Sequence, residues 1–231
     1  MKLIIKNLKK NFEQKQVLKD INYEFERGKI YGLLGRNGAG KTTLFNCLNE
    51  DLEIDGGEFY IDDGGVRKLC AEDLGYVLST QNVPEFLTGR EFLKFFIDIN
   101  RKRITDLKSV DEYFDFMKIE VEDRDKLLKD YSHGMKNKMQ MLVNIISNPD
   151  VLLLDEPLTS FDVVVAEEMK QMLKEIKNNH IIIFSTHIME LALDLCDEIV
   201  VLNNGVLTEI DRKGVDNEQL KEKIIEELKE D

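Results

Sequence analysis

Along this 231-residue chain the spacing of apolar positions changes character twice. Over 21–25, INYEF, Ile21, Tyr23 and Phe25 alternate with polar residues, the period of a strand with one buried face, and KLIIKNL (2–8) also reads as a strand, without that clean alternation. Phe12 falls between these two segments. Ile30-Tyr31-Gly32-Leu33-Leu34, Val151-Leu152-Leu153-Leu154 and Ile181-Ile182-Ile183-Phe184 are unbroken apolar runs, which predict strands covered on both faces. Gly57-Glu58-Phe59-Tyr60-Ile61 and Val66 flank a turn at Asp62-Asp63-Gly64-Gly65, and Gly75-Tyr76-Val77-Leu78 predicts a further strand.

From about residue 85 the spacing becomes three and four. Phe92, Phe95, Phe96 and Ile99 share one predicted helix face; Leu107, Val110, Phe114 and Met117 share another, and Met135, Met139, Leu142, Val143 and Ile146 a third. This helical insertion closes at Asn148-Pro149. A helix with Val165, Met169, Met172, Leu173 and Ile176 on one face then separates the strands at 151–154 and 181–184, the grammar of a parallel sheet. A hairpin is expected across Asn203-Asn204-Gly205. The pattern divides the chain into a core and β subdomain (1–82 and 150–212), a helical subdomain (83–149), and a charged helix or fraying tail (213–231) whose surface is expected to be solvated.

Composition narrows the function classes. A formal charge of -13 argues against a nucleic-acid partner, because backbone binding is carried by lysine and arginine. No run approaches the ~20 apolar residues that cross a bilayer, and MKLIIKNLKKNF is too charged for a signal peptide, so an intracellular protein is expected. Cys47, Cys70 and Cys196 have no metal-site or disulfide spacing.

The chemistry concentrates at GRNGAGKTT. This stretch follows a predicted buried strand and opens a predicted helix, the context that G-x-x-x-x-G-K-[ST] requires. Gly35, Arg36, Asn37, Gly38, Ala39, Gly40, Lys41, Thr42 and Thr43 would turn successive N–H groups into one concavity that holds a phosphate. The helix N-terminus adds about half a positive charge, Lys41 reaches toward terminal phosphates, and the Thr42 hydroxyl suits magnesium.

Taken in order, the segments from about residue 3 to 212 resemble the ATP-binding subunit of ABC transporters. GRNGAGKT is similar to Walker A, Gln81 to the Q-loop glutamine, and Tyr131-Ser132-His133-Gly134-Met135 to the signature. VLLLDEP (151–157) is similar to Walker B, Ser160-Phe161-Asp162 to the D-loop, and His187 to the switch histidine. The resemblance implies an α/β fold: a P-loop, RecA-like core with an N-terminal antiparallel β subdomain and an inserted α-helical subdomain. It implies ATP and Mg2+ as cofactors, with Thr42, Gln81 and Asp155 toward the metal, and Glu156, His187 and Gln81 in catalysis. Phe12 would stack on adenine, and Ser132, Gly134 and Asp162 would meet nucleotide across a dimer. The signature departs from LSGGQ at His133 and Met135, while Lys136 and Lys138 stand where arginines are usual.

The partners so implied are an integral membrane subunit and a second ATP-binding cassette, identical or sister, with the chain held at the inner face of the membrane. Coupling would pass through Val83, Phe86 and Leu87. By resemblance the variant signature and short C-terminus are most like bacterial exporters. The alternative is the ATPase of a soluble, non-transport ABC system such as a scaffold-assembly complex. A small-molecule P-loop kinase would account for Walker A but gives no reason for Ser132-His133-Gly134 or His187.

Overall fold

The computed structural model describes residues 1–80, 82–104, 107–159, 161–212 and 214–229. The chain opens with β1 (Lys2–Phe12), β2 (Lys15–Glu26), β3 (Ile30–Leu34), α1 (Lys41–Leu48), β4 (Gly56–Asp62), β5 (Val66–Lys68) and β6 (Leu74–Val77). Three helices follow, α2 (Gly89–Asn100), α3 (Val110–Phe116) and α4 (His133–Ile146). The remainder is β7 (Val151–Asp155), α5 (Val163–Ile176), β8 (Ile181–Thr186), α6 (Met189–Leu195), β9 (Glu198–Asn203), β10 (Val206–Ile210) and α7 (Asn217–Lys229).

Two sheets carry the fold. One is antiparallel, in the order β2-β1-β4-β5; the other runs β10-β9-β3-β8-β7-β6, parallel except for β10. Side chains on β7 and β8 alternate between two cores, as the two-residue period of a strand dictates. Val151, Leu153, Ile181 and Ile183 face the antiparallel sheet and α1, where they meet Phe25 and Phe45. Leu152, Leu154, Ile182 and Phe184 face the opposite side, in a core that continues through Phe114 and Leu142 of the helical insertion. Both faces are covered, which is why these strands read as unbroken apolar runs. At Gly32 a Cβ would come within 2.9 Å of Cys196 Sγ, so glycine lets β3 approach the end of α6. The architecture is the expected α/β one, with the helical insertion between β6 and β7.

Three sequence expectations need correction. Phe12 does not lie between strands: β1 continues through register shifts against β2 and ends on it. The apolar face predicted for 92–99 is not the buried one. Gly89, Leu93 and Ile97 are buried, Phe92 and Phe96 pack partly against the core, and Phe95 and Ile99 are exposed. Aromatic size misleads here, because the shorter Leu93 and Ile97 fill the space against the core. Nor is the C-terminal segment a solvated tail. Helix α7 buries Leu220 and Ile224 against β9 and β10, and Asn203 Nδ2 donates to Glu227 O at 2.7 Å. Full burial of such side chains contributes about 1.5–3 kcal/mol each, while the charged residues of the other helix face stay at the surface.

Candidate nucleotide site

Because β8 lies between β3 and β7, the C-terminal ends of three neighbouring strands bring the phosphate loop, Asp155 and His187 to one edge of the sheet. Open parallel sheets hold their ligands at this edge. β3 is buried throughout and ends at Leu34. The loop then turns with Ala39 N donating to Arg36 O at 3.1 Å, and Gly40 opens α1 with φ of 109°. A Cβ at Gly40 would lie 2.9 Å from Val17, so both the backbone angle and the space require glycine. No side chain caps α1 and its first turn holds no acid, which leaves its N–H groups and positive end for an anion.

Lys41 is only 6% exposed, and its Nζ donates to Gly35 O at 2.8 Å and to Arg36 O at 3.4 Å. Glu156 Oε1 stands 3.8 Å away. Burial lowers the Lys41 pKa, with Glu156 and Asp155 opposing the shift. The ammonium is folded back onto the loop's own carbonyls, the bonds that a phosphate oxygen would replace.

Asp155, 2% exposed, uses both carboxylate oxygens. Thr42 Oγ1 donates to Oδ2 at 2.8 Å and Ser185 Oγ donates to Oδ1 at 2.6 Å. The next residue, Glu156, adopts φ of 49°, a left-handed conformation uncommon outside glycine, asparagine and aspartate and enriched where function holds the backbone in place. Its N–H is held by Ser185 O at 3.2 Å and Ser185 Oγ at 3.1 Å. His187 Nδ1 lies 3.0 Å from Glu156 Oε1.

The donor set at Thr42 and Asp155 is one hydroxyl and one carboxylate, hard oxygens that suit magnesium. Among the described residues no cluster of three or more His, Cys, Asp or Glu forms a metal cage.

A cavity of about 390 Å³ adjoins these groups, lined by Phe12, Asn37, Gly38, Thr43 and Glu156 among others. Phe12 is 43% exposed there, with Lys10 Nζ 5.4 Å from its ring centre, so it is an open face rather than a core residue. Val17 and Ser79 also line the cavity and Ser185 supports it from below, three residues that sequence reasoning did not single out as functional. Ser79 sits two residues before the Q-loop position, and that neighbourhood was the available signal. For Ser185 the signal is its place on the strand that ends near His187, but its partner Asp155 is visible only from the strand order.

Other expected site residues lie elsewhere. Ser132 caps α4, its Oγ accepting from Met135 N at 3.2 Å, and Gly134 packs against Phe161; neither lines the cavity. Asp162 caps α5 through Val164 N and Val165 N. Gln81 and Ser160 fall outside the described residues. Lys136 pairs with Glu85, and buried Lys138 donates to Lys118 O. Phe86 is 79% exposed, while Val83 packs partly on the core. Burial pushes the Cys47 and Cys196 thiols up to about 11 and about 12, so neither is a reactive thiolate.

A family model described as ABC transporter matches residues 18–159. The chain is 35% identical over 206 residues to the ABC transporter ATP-binding protein MJ1023 of Methanocaldococcus jannaschii, covering 88% of this chain and 75% of that protein. It is 29% identical over 215 residues to a Chlorella vulgaris protein named for sulfate/thiosulfate import, CysA, covering 91% of each. Among solved structures, the dimeric post-hydrolysis state of the cassette MJ0796 bound to ADP and Pi matches with a TM-score of 0.77 at 20% identity, covering 92% of this chain and 100% of that one. At that identity the likeness is one of fold.

Proposed function

Because this chain belongs to the ABC transporter ATP-binding family, we propose that it drives a membrane transporter by closing on a second cassette around MgATP and reopening after hydrolysis. It is an ATP-binding subunit with ATPase activity. The observation that carries the closer reading is the contact of Thr42 Oγ1 with Asp155 Oδ2, 2.8 Å, beside a glutamate held by a histidine.

In the mechanism, the phosphate loop and Lys41 bind the triphosphate. Thr42 and Asp155, with Gln81 as expected from the resemblance, would hold a magnesium ion, which would supply positive charge to the terminal phosphates. Glu156 accepts a proton from the attacking water, whose oxygen forms the new bond to the γ-phosphorus as the bond to ADP breaks. His187 keeps Glu156 oriented. Phe12 offers a ring to adenine. Ser132, Gly134 and Asp162 lie away from the cavity of their own protomer, which supports a role toward nucleotide held by a second cassette. That the MJ0796 cassette, alike in fold, was solved as a dimer bound to ADP and Pi supports the pairing of two cassettes.

No helix among the described residues is long and apolar enough to cross a membrane. The proposed pathway lies in an integral membrane subunit, docked beside Phe86 at the inner face of the membrane. Export is the proposed direction, on the likeness of the variant signature to exporter cassettes; import is the direction named for the Chlorella relative. Affinity purification from detergent extract tests the assembly: a companion with several apolar segments of ~20 residues is expected. A soluble companion alone would replace the transport reading with a scaffold-assembly one. Cargo accumulation in inside-out vesicles on adding ATP is the outcome for export.

A further inference from the structure

Ser185 is fully buried, touches none of the cavity surface, and yet bonds to both acidic positions of the site. The polarity of these bonds follows from the groups. A backbone N–H only donates, so Ser185 Oγ accepts from Glu156 N; an ionised carboxylate only accepts, so the hydroxyl proton points to Asp155 Oδ1. One hydroxyl therefore bridges Glu156 N at 3.1 Å and Asp155 Oδ1 at 2.6 Å. Asp155 and Ser185 are paired across β7 and β8, so the bridge rests on two central strands rather than on a loop.

The two carboxylate oxygens of Asp155 thereby acquire different duties. Oδ1 is tied to the sheet by Ser185, and Oδ2 meets the Thr42 hydroxyl at the start of α1. The same serine oxygen helps hold Glu156 at φ of 49°, the conformation from which its side chain turns toward His187. We propose that Ser185 is a positioning residue that orients Asp155 toward the bound cation and Glu156 toward the attacking water, without touching nucleotide itself. The inference rests on the nucleotide reading given above.

Removal of the hydroxyl leaves Asp155 Oδ1 buried without its donor, and the carboxylate can rotate away from Thr42. A hydrogen bond to a charged group of this kind is worth a tenfold or larger change in equilibrium. The effect falls on cation affinity and on the chemical step. It does not fall on the phosphate loop, which Ser185 does not contact.

The test compares wild type with Ser185→Ala by fluorescence of a mant-ATP probe, titrated in EDTA and with Mg2+. Expected for the variant are metal-free probe affinity within about twofold of wild type, a half-saturating Mg2+ concentration raised about tenfold or more, and a fall in kcat that exceeds any change in KM. Ser185→Thr, which keeps the hydroxyl, should recover most of the Mg2+ response. Thermal melts establish folding, and if Ser185→Ala does not fold, Ser185→Cys, close in size and weak as a donor, takes its place in the same titration. A folded variant with wild-type Mg2+ half-saturation overturns the role of Ser185. Wild-type protein that binds no probe overturns the nucleotide reading, and the inference with it.

Discussion

His187 Nδ1 stands 3.0 Å from Glu156 Oε1, although the two residues are 31 positions apart and follow different strands. Each alone is an ordinary strand-end side chain. Together they set an imidazole nitrogen against a carboxylate at the edge of the sheet, the pair to which the proposed mechanism gives proton acceptance and its orientation.

Glu156→Gln preserves the side-chain size and both bonds of its N–H to Ser185 but removes the carboxylate proposed to accept the proton. Phosphate release should fall by about 10²- to 10⁴-fold while MgATP stays bound. On size exclusion with saturating MgATP the variant should elute as a dimer. A monomer under those conditions would remove the case for a site shared across two cassettes.

His187→Ala should behave differently from a binding mutant. The imidazole does not line the cavity, so mant-ATP affinity should stay within about threefold while kcat drops by roughly 10²-fold. Equal losses in affinity and rate would instead make His187 a nucleotide contact.

Acid should destabilise the protein through His180, which is 3% exposed and bonds by Nδ1 to Pro149 O at 2.6 Å. Burial is the main cause that lowers its pKa below 6.5. The unfolded chain therefore takes up a proton at higher pH than the folded one. Stability from this residue is complete above pH 6.5, declines as pH falls below it, and is gone below the folded-state value. Denaturant midpoints from pH 8 to 5 should show this slope, and His180→Gln should flatten it.

Ile224→Ala tests whether α7 is part of the folded body. Loss of a fully buried isoleucine costs about 2–5 kcal/mol, which lowers the melting temperature by several degrees in a chain of this size. An unchanged melt would return the segment to the solvated tail that its charge suggests.

Much of the site could be read before any coordinate. GRNGAGKTT declares its loop because glycine, lysine and threonine at those spacings serve a local geometry, and the neighbouring apolar runs declare buried strands through continuity alone. Such features depend on residues adjacent in the chain. Helix faces were less legible: in α2 the large aromatics suggested one buried face, and packing chose Leu93 and Ile97. In α7, charge hid the two side chains that dock it.

By itself, then, the amino-acid order determined the phosphate loop, the strand and helix alternation and the acidic pair at the end of an apolar run, because these are written in local spacing. Tertiary structure alone decided that β8 separates β3 from β7. That placement sets Ser185 against Asp155, Thr42 against the same carboxylate and His187 against Glu156. The physical reason is that strand order follows from burying two apolar faces at once, a property of the whole sheet that no single segment carries.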